Sequence, residues 1–186
     1  ISIVETKISN HSFIKINSNY SFRNSITSIF SFTKIDLVEV FKSIAFAGSV
    51  LLLLFAIGME MFAEIEKNIR MPQKYASSGL MAMTIIENFH LLGILLVAYF
   101  ANELFWRSQS SRFSLIEYST HFSFKKRIGH WFSVNILVLV YSLILVVEGI
   151  FFQLAYDYPF FEFKAYFGVF VLSVFPMLLF GGFALF

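Results

Sequence analysis

The chain of 186 residues contains no cysteine and only three prolines. The first absence excludes a disulfide framework and any Cys-ligated zinc site. Charge is scarce as well: 14% of residues are Asp, Glu, Lys or Arg, against about 25% in an ordinary globular domain. Neither sign dominates, with 14 basic and 12 acidic residues and a net charge of +2, so the overall balance calls for no nucleic acid or other acidic partner. The sequence has no G-x-x-x-x-G-K-[ST] phosphate loop and no H-E-x-x-H zinc motif. What it has in abundance is apolar side chains. It is 58% hydrophobic with a mean hydropathy of +0.73, and 26 residues are Phe. A soluble globule of this size could neither bury that much apolar surface nor coat it with so few charges. The composition therefore excludes a soluble enzyme, a disordered chain and a nucleic-acid binder, and leaves an all-α integral membrane protein.

Four apolar runs organise the chain: residues 44–62, 80–105, 128–152 and 166–186. At about 1.5 Å per residue each approaches or exceeds a hydrocarbon core of about 30 Å. Pro72 argues against a helix continuing through the polar segment 64–78. Pro176 falls inside the fourth run, where it should free a carbonyl and kink the helix. Residues 1–28 read as a linker segment rather than a signal peptide, because Ser, Asn, Lys and Thr interrupt the apolar residues throughout. Phe13, Ile14 and Ile16 hint at a short strand. Over 29–43 the apolar Ile29, Phe30, Leu37, Val38 and Phe41 stand near helical spacing with Asp36 and Glu39 between them. That pattern predicts an amphipathic connecting helix on the membrane surface. The sequence starts at Ile1 and ends in an apolar run, as expected for a piece of a longer polypeptide.

Orientation follows from the cations. Ten of them (Lys7, Lys15, Arg23, Lys34, Lys42, Arg107, Arg112, Lys125, Lys126 and Arg127) lie before the first run or between the second and third. Four (Lys67, Arg70, Lys74 and Lys164) lie in the other two loops. The N-terminus and the middle loop are therefore expected in the cytoplasm. Trp106, Tyr118 and Trp131 would anchor that interface, and Tyr156, Tyr158 and Tyr166 the outer one. Among the glycines, the Ala47-Gly48-Ser49 stretch is the stronger candidate for close helix packing.

Ionisable groups inside spans are costly and usually face a partner or a cavity. Glu87 and His90 stand three apart on one helix face, and Glu148 lies near the outer end of the third run. All three are expected toward the outer leaflet. They could line a substrate path, form a proton or metal site, or simply bond between helices and to interfacial water.

The middle loop carries the most specific pattern. Asn102-Glu-Leu-Phe-Trp-Arg107-Ser-Gln-Ser-Ser-Arg112-Phe-Ser-Leu-Ile-Glu117-Tyr-Ser-Thr120 resembles the cytoplasmic loop of type-2 ABC exporter permeases. The bacterial subfamily fused to a C-terminal zinc aminopeptidase domain is the most similar. Its loop reads E-L-x-W-R-E-R-x-x-R-x-x-E-I-x-D-A-T-P, which Glu103, Leu104, Trp106, Arg107, Arg112, Ile116 and Thr120 match. Gly149 and Gln153, followed by Phe161-Glu-Phe-Lys-Ala-Tyr166, also resemble that subfamily, and the similarity runs from about Ser21 onward. Ser108 replaces the usual acid, His121 replaces proline, and Glu117 lies near the usual acidic position.

The resemblance implies a bacterial inner-membrane permease of about six spans, with a second permease half or a homodimer partner. It implies that Glu103, Arg107, Arg112, Ile116, Glu117 and Thr120 couple the spans to a separate ABC ATPase subunit. The chain itself would carry no catalytic residue, metal or cofactor, and any peptidase domain would lie beyond Phe186. Two other readings remain at this stage: a non-transporting anchor or regulatory subunit, and an ion-coupled secondary transporter.

Overall fold

The structure, a computed structural model, describes residues 22–66, 75–110 and 123–185. Among them there is no strand. The elements are α1 (Phe22–Lys42), α2 (Ile44–Ile65), α3 (Ser78–Ser110), α4 (Ser123–Ala155), α5 (Phe163–Val169), a π-helical turn (Phe170–Val174) and α6 (Phe175–Leu185). Four stretches are long and apolar enough to cross a bilayer: Ile44–Ile65, Ser78–Arg107, Phe124–Ala155 and Phe163–Ala184. This is an all-α, multi-pass membrane architecture. Each span contains nearly all of one of the four apolar runs, and the helices of the first three continue past their runs. Inside a bilayer every backbone N–H and C=O needs an internal partner, so a helix has no reason to stop where its side chains turn polar.

α4 is the central helix. It packs against α1, α2, α3 and the α5–α6 rod, with Leu137, Tyr141 and Leu145 buried along its length. The burial pattern is that of a protein solvated by lipid. Leu51, Leu52 and Phe55 face outward from α2, whereas Ser133, Ser142, Gln153 and Ser173 are fully buried. Lipid tails are as apolar as leucine, so the hydrophobic effect does not hold such helices together. Close packing and interhelical hydrogen bonds do.

α1 starts at Phe22, earlier than the apolar spacing alone indicates, and it ends at a sharp corner. Ser43 is extended (φ −76°, ψ 144°); its hydroxyl accepts from the Phe46 N–H at 3.1 Å and donates to the Val40 carbonyl at 2.7 Å. One serine thus caps the start of α2 while closing the end of α1. The strand hinted at by Phe13, Ile14 and Ile16 lies outside the described residues, as does Pro72.

Pro176 acts through the turn before it. The Phe175 N–H bonds back to the Phe170 carbonyl, five residues away. Proline has no N–H to offer the preceding turn, and the widened π turn absorbs the mismatch within the span. Ahead of the fourth span, α4 ends at Ala155, and the turn that follows contains Asp157, whose φ of 55° is left-handed. Aspartate tolerates that region better than most residues. The Tyr158 N–H then reaches the Gln153 carbonyl at 2.9 Å, reversing the chain over the start of α3.

Candidate functional site

Two polar clusters sit at opposite ends of the bundle. The first joins α1 to α4. Thr33, Asp36 and Val40, spaced three and four apart, form the buried stripe of α1. Asp36 is 5% exposed and His130 is 6% exposed. The Asp36 Oδ2 atom accepts from His130 Nδ1 at 2.6 Å and from the Ser133 hydroxyl at 3.0 Å. The single Ser133 O–H is shared with the Gly129 carbonyl at 2.9 Å, and the Thr33 hydroxyl reaches the same carbonyl at 3.2 Å. Gly129 is what lets the two helices meet this closely. A Cβ there would stand 2.9 Å from the Phe32 Cβ.

Serine, histidine and aspartate together invite comparison with a nucleophilic triad. The order is different: the serine hydroxyl is bonded to the carboxylate and not to the imidazole, so nothing activates it. The cluster is a clamp between helices.

The second arm of the clamp reaches α3. Arg107 forms an ion pair with Glu39, one turn beyond Asp36 on α1. Glu103, one turn before Arg107, has a buried Oε2 with no hydrogen-bond partner among the described residues. α1 therefore touches both helices that flank the segment 111–122, α4 through the buried cluster and α3 through one part-exposed ion pair. Of the coupling residues expected from the resemblance, Glu103 and Arg107 are at this junction. Arg112, Ile116, Glu117 and Thr120 lie outside the described residues.

The second cluster is a knot at the far end. Gln153 is fully buried. Its amide donates to the Ser78 hydroxyl at 3.0 Å, and its carbonyl oxygen accepts from Tyr166 at 2.6 Å. Ser78 also accepts from the Glu162 N–H at 2.9 Å. The starts of α3 and α5 and the end of α4 are thus tied together. Gly149 faces Tyr166, whose ring and hydroxyl would both lie 3.3 Å from an added Cβ. The residues of the second resemblance, Gly149, Gln153 and Tyr166, converge here. Just outside, the Tyr156 hydroxyl donates to Glu66 at 3.3 Å. Desolvation, together with the negative charge and hydrogen bond of Glu66, raises its pKa above the ordinary tyrosine value.

Several sequence expectations change. Tyr166 is no interface anchor; it is buried in the knot. Trp131 is partly buried, and its indole N–H donates to the Leu178 carbonyl at 3.3 Å. Gly48 has open space around it, so packing at Ala47-Gly48-Ser49 comes from Ser49, whose hydroxyl meets Tyr141 at 2.5 Å. Close approach occurs instead at Gly58, Gly93, Gly129 and Gly149.

Glu148 points at α2, where a Cβ on Gly58 would stand 2.6 Å from its Oε1; its Oε2 is buried without a hydrogen-bond partner. Glu87 is exposed on α3 and His90 is half-buried. Among the described residues no hydrogen bond or ion pair joins these three to one another, and no group of three His, Asp or Glu side chains is placed to hold a metal ion. A scan against protein-family models, a search of curated proteins and a search of solved structures each found no match to this chain.

Proposed function

We propose that the chain is the membrane-spanning permease part of an ABC-type exporter, driven by ATP hydrolysed on a separate subunit. One observation carries the reading. α1 packs along α4, where Asp36 meets His130, reaches α3 through the part-exposed Glu39–Arg107 ion pair, and continues into α2 across the Ser43 corner. A force applied to that segment by a partner would be delivered to three spans at once. The resemblance of the Glu103–Thr120 stretch to the ATPase-contacting loop of type-2 exporters supports the same assignment.

In this reading α1 and the segment 111–122 lie on the cytoplasmic side of a bacterial inner membrane, and the ten-to-four distribution of cations supports that orientation. The four spans form part of a unit of about six and work with a second permease half or a second copy. Glu148, set against Gly58, and the outer polar groups Glu87 and His90 are the candidates for the substrate path.

The test is a detergent pull-down of the full-length parent protein, with and without alanine at Arg107, Arg112 and Glu117. Co-purification of an ABC ATPase that is lost in the triple variant supports the permease. Clean purification without an ATPase in either form contradicts it and leaves the non-transporting anchor as the better reading. Transport that follows a proton gradient without ATP would instead identify a secondary transporter.

A further inference from the structure

The charges of α1 are sorted by the fold. Both of its acids are paired, the buried Asp36 with His130 and Ser133 and the half-exposed Glu39 with Arg107. Its cations Arg23, Lys34 and Lys42 are all exposed. Among the described residues no carboxylate pairs with them. Ile26, Phe30, Lys34, Val38 and Lys42 follow one another at four-residue intervals, and every one is exposed. Residues four apart share a helix face. The outward ridge of α1 is therefore apolar and cationic at once, with no free anion.

That ridge is continuous with the membrane-facing surface. Phe30 stacks on Phe132 near the start of the α4 span, with ring centroids 6.4 Å apart. Phe41 meets Phe46 at the start of α2, edge to face at 4.9 Å. An apolar stripe joined to two spans lies at the hydrocarbon boundary, and its lysines can extend their heads toward the headgroup layer while their stems stay apolar. A neutral surface would satisfy the Phe and Ile side chains but leave three cations without counter-charge.

We infer that the exposed ridge of α1 is a binding surface for anionic phospholipid headgroups. It holds the acidic lipid beside the helix that clamps α3 and α4. Each cation close to a charged membrane surface is worth about 1 kcal/mol, or about fivefold in affinity. The inference does not rest on the permease assignment.

The test uses the purified full chain in detergent micelles carrying equal amounts of phosphatidylglycerol and phosphatidylcholine. Lipid retained after gel filtration is counted by mass spectrometry. The expected result is at least about a fivefold enrichment of phosphatidylglycerol, falling as salt screens the charges. The triple variant Arg23→Gln, Lys34→Gln, Lys42→Gln should return to the input ratio. Lys164→Gln, at the far end, should leave the enrichment unchanged. A photoreactive phosphatidylglycerol should place its adducts on residues 22–42 of the wild-type chain, which tests the site without a variant. An input ratio in the wild type, enrichment that survives the triple variant, or adducts confined to other segments would each overturn the inference.

Discussion

Replacing Asp36 by alanine removes the centre of the clamp. Two hydrogen bonds to its Oδ2 atom disappear, one from His130 and one from Ser133. Ser133 keeps a partner, because its hydroxyl also bonds to the Gly129 carbonyl. His130 loses its acceptor while remaining in a site where it is only 6% exposed. Side-chain hydrogen bonds between membrane helices are worth about 0.6 kcal/mol on average and up to about 1.7. Breaking one side of a buried ionisable pair costs about 3–5 kcal/mol in water-soluble proteins. The junction lies at the end of the bundle, between those settings, so the expected loss is about 2–3 kcal/mol.

The assay is reversible unfolding in mixed micelles with increasing denaturing detergent, followed by tryptophan fluorescence. Trp131 adjoins His130 and reports on the junction directly. Asp36→Asn keeps an acceptor of the same shape and should lose about 1 kcal/mol. The cycle of Asp36→Ala with His130→Ala should show a coupling of at least about 1 kcal/mol, because neighbours in one network are not additive. A loss within about 0.5 kcal/mol together with additive single variants would refute the clamp.

Two further perturbations follow from the same geometry. Gln153→Leu keeps the volume of a fully buried side chain but strands the Tyr166 hydroxyl, and should cost about 2–3 kcal/mol in the same unfolding assay. Swapping the charges of Glu39 and Arg107 should weaken ATPase co-purification in each single variant, Glu39→Arg and Arg107→Glu, and restore it in the double; a double variant no better than the singles would remove this pair from the coupling route.

The spans were legible because lipid makes them so. An apolar run near 19 residues or more leaves the backbone no choice but a helix, and Ile44–Ile65 and Ser78–Arg107 appear where the runs stand. A helix over 29–43 was legible from its spacing, although it begins already at Phe22 and buries Thr33, Asp36 and Val40, and Pro176 marked the disturbed turn in the fourth span. What Asp36 does could not be read locally. Its partner His130 is 94 positions away and sits beside Trp131 at the edge of an apolar run, where a histidine attracts no notice. The available signal was the Thr33, Asp36 and Val40 stripe, which aligns one acid with the buried face. Gln153 was conspicuous only through the resemblance, Tyr166 was expected as an interface anchor, and their meeting with Ser78 depends on the reversal at Asp157. Glycine counts misled at Gly48, because a small residue permits close approach without demanding it. Gly58, by contrast, is buried, with the Glu148 carboxyl and the Phe152 ring across from it.

On the proposed topology, α1 and the segment 111–122 lie on the side of the membrane where ATP is. Because the chain has no cysteine, single cysteines at Lys34 and Asp157 report on topology without background. In intact cells, a membrane-impermeant maleimide should label Asp157→Cys and should reach Lys34→Cys only after lysis. The reverse pattern, with Lys34→Cys labelled in intact cells and Asp157→Cys protected, would contradict the account, since no ATPase could then reach the helices that α1 clamps.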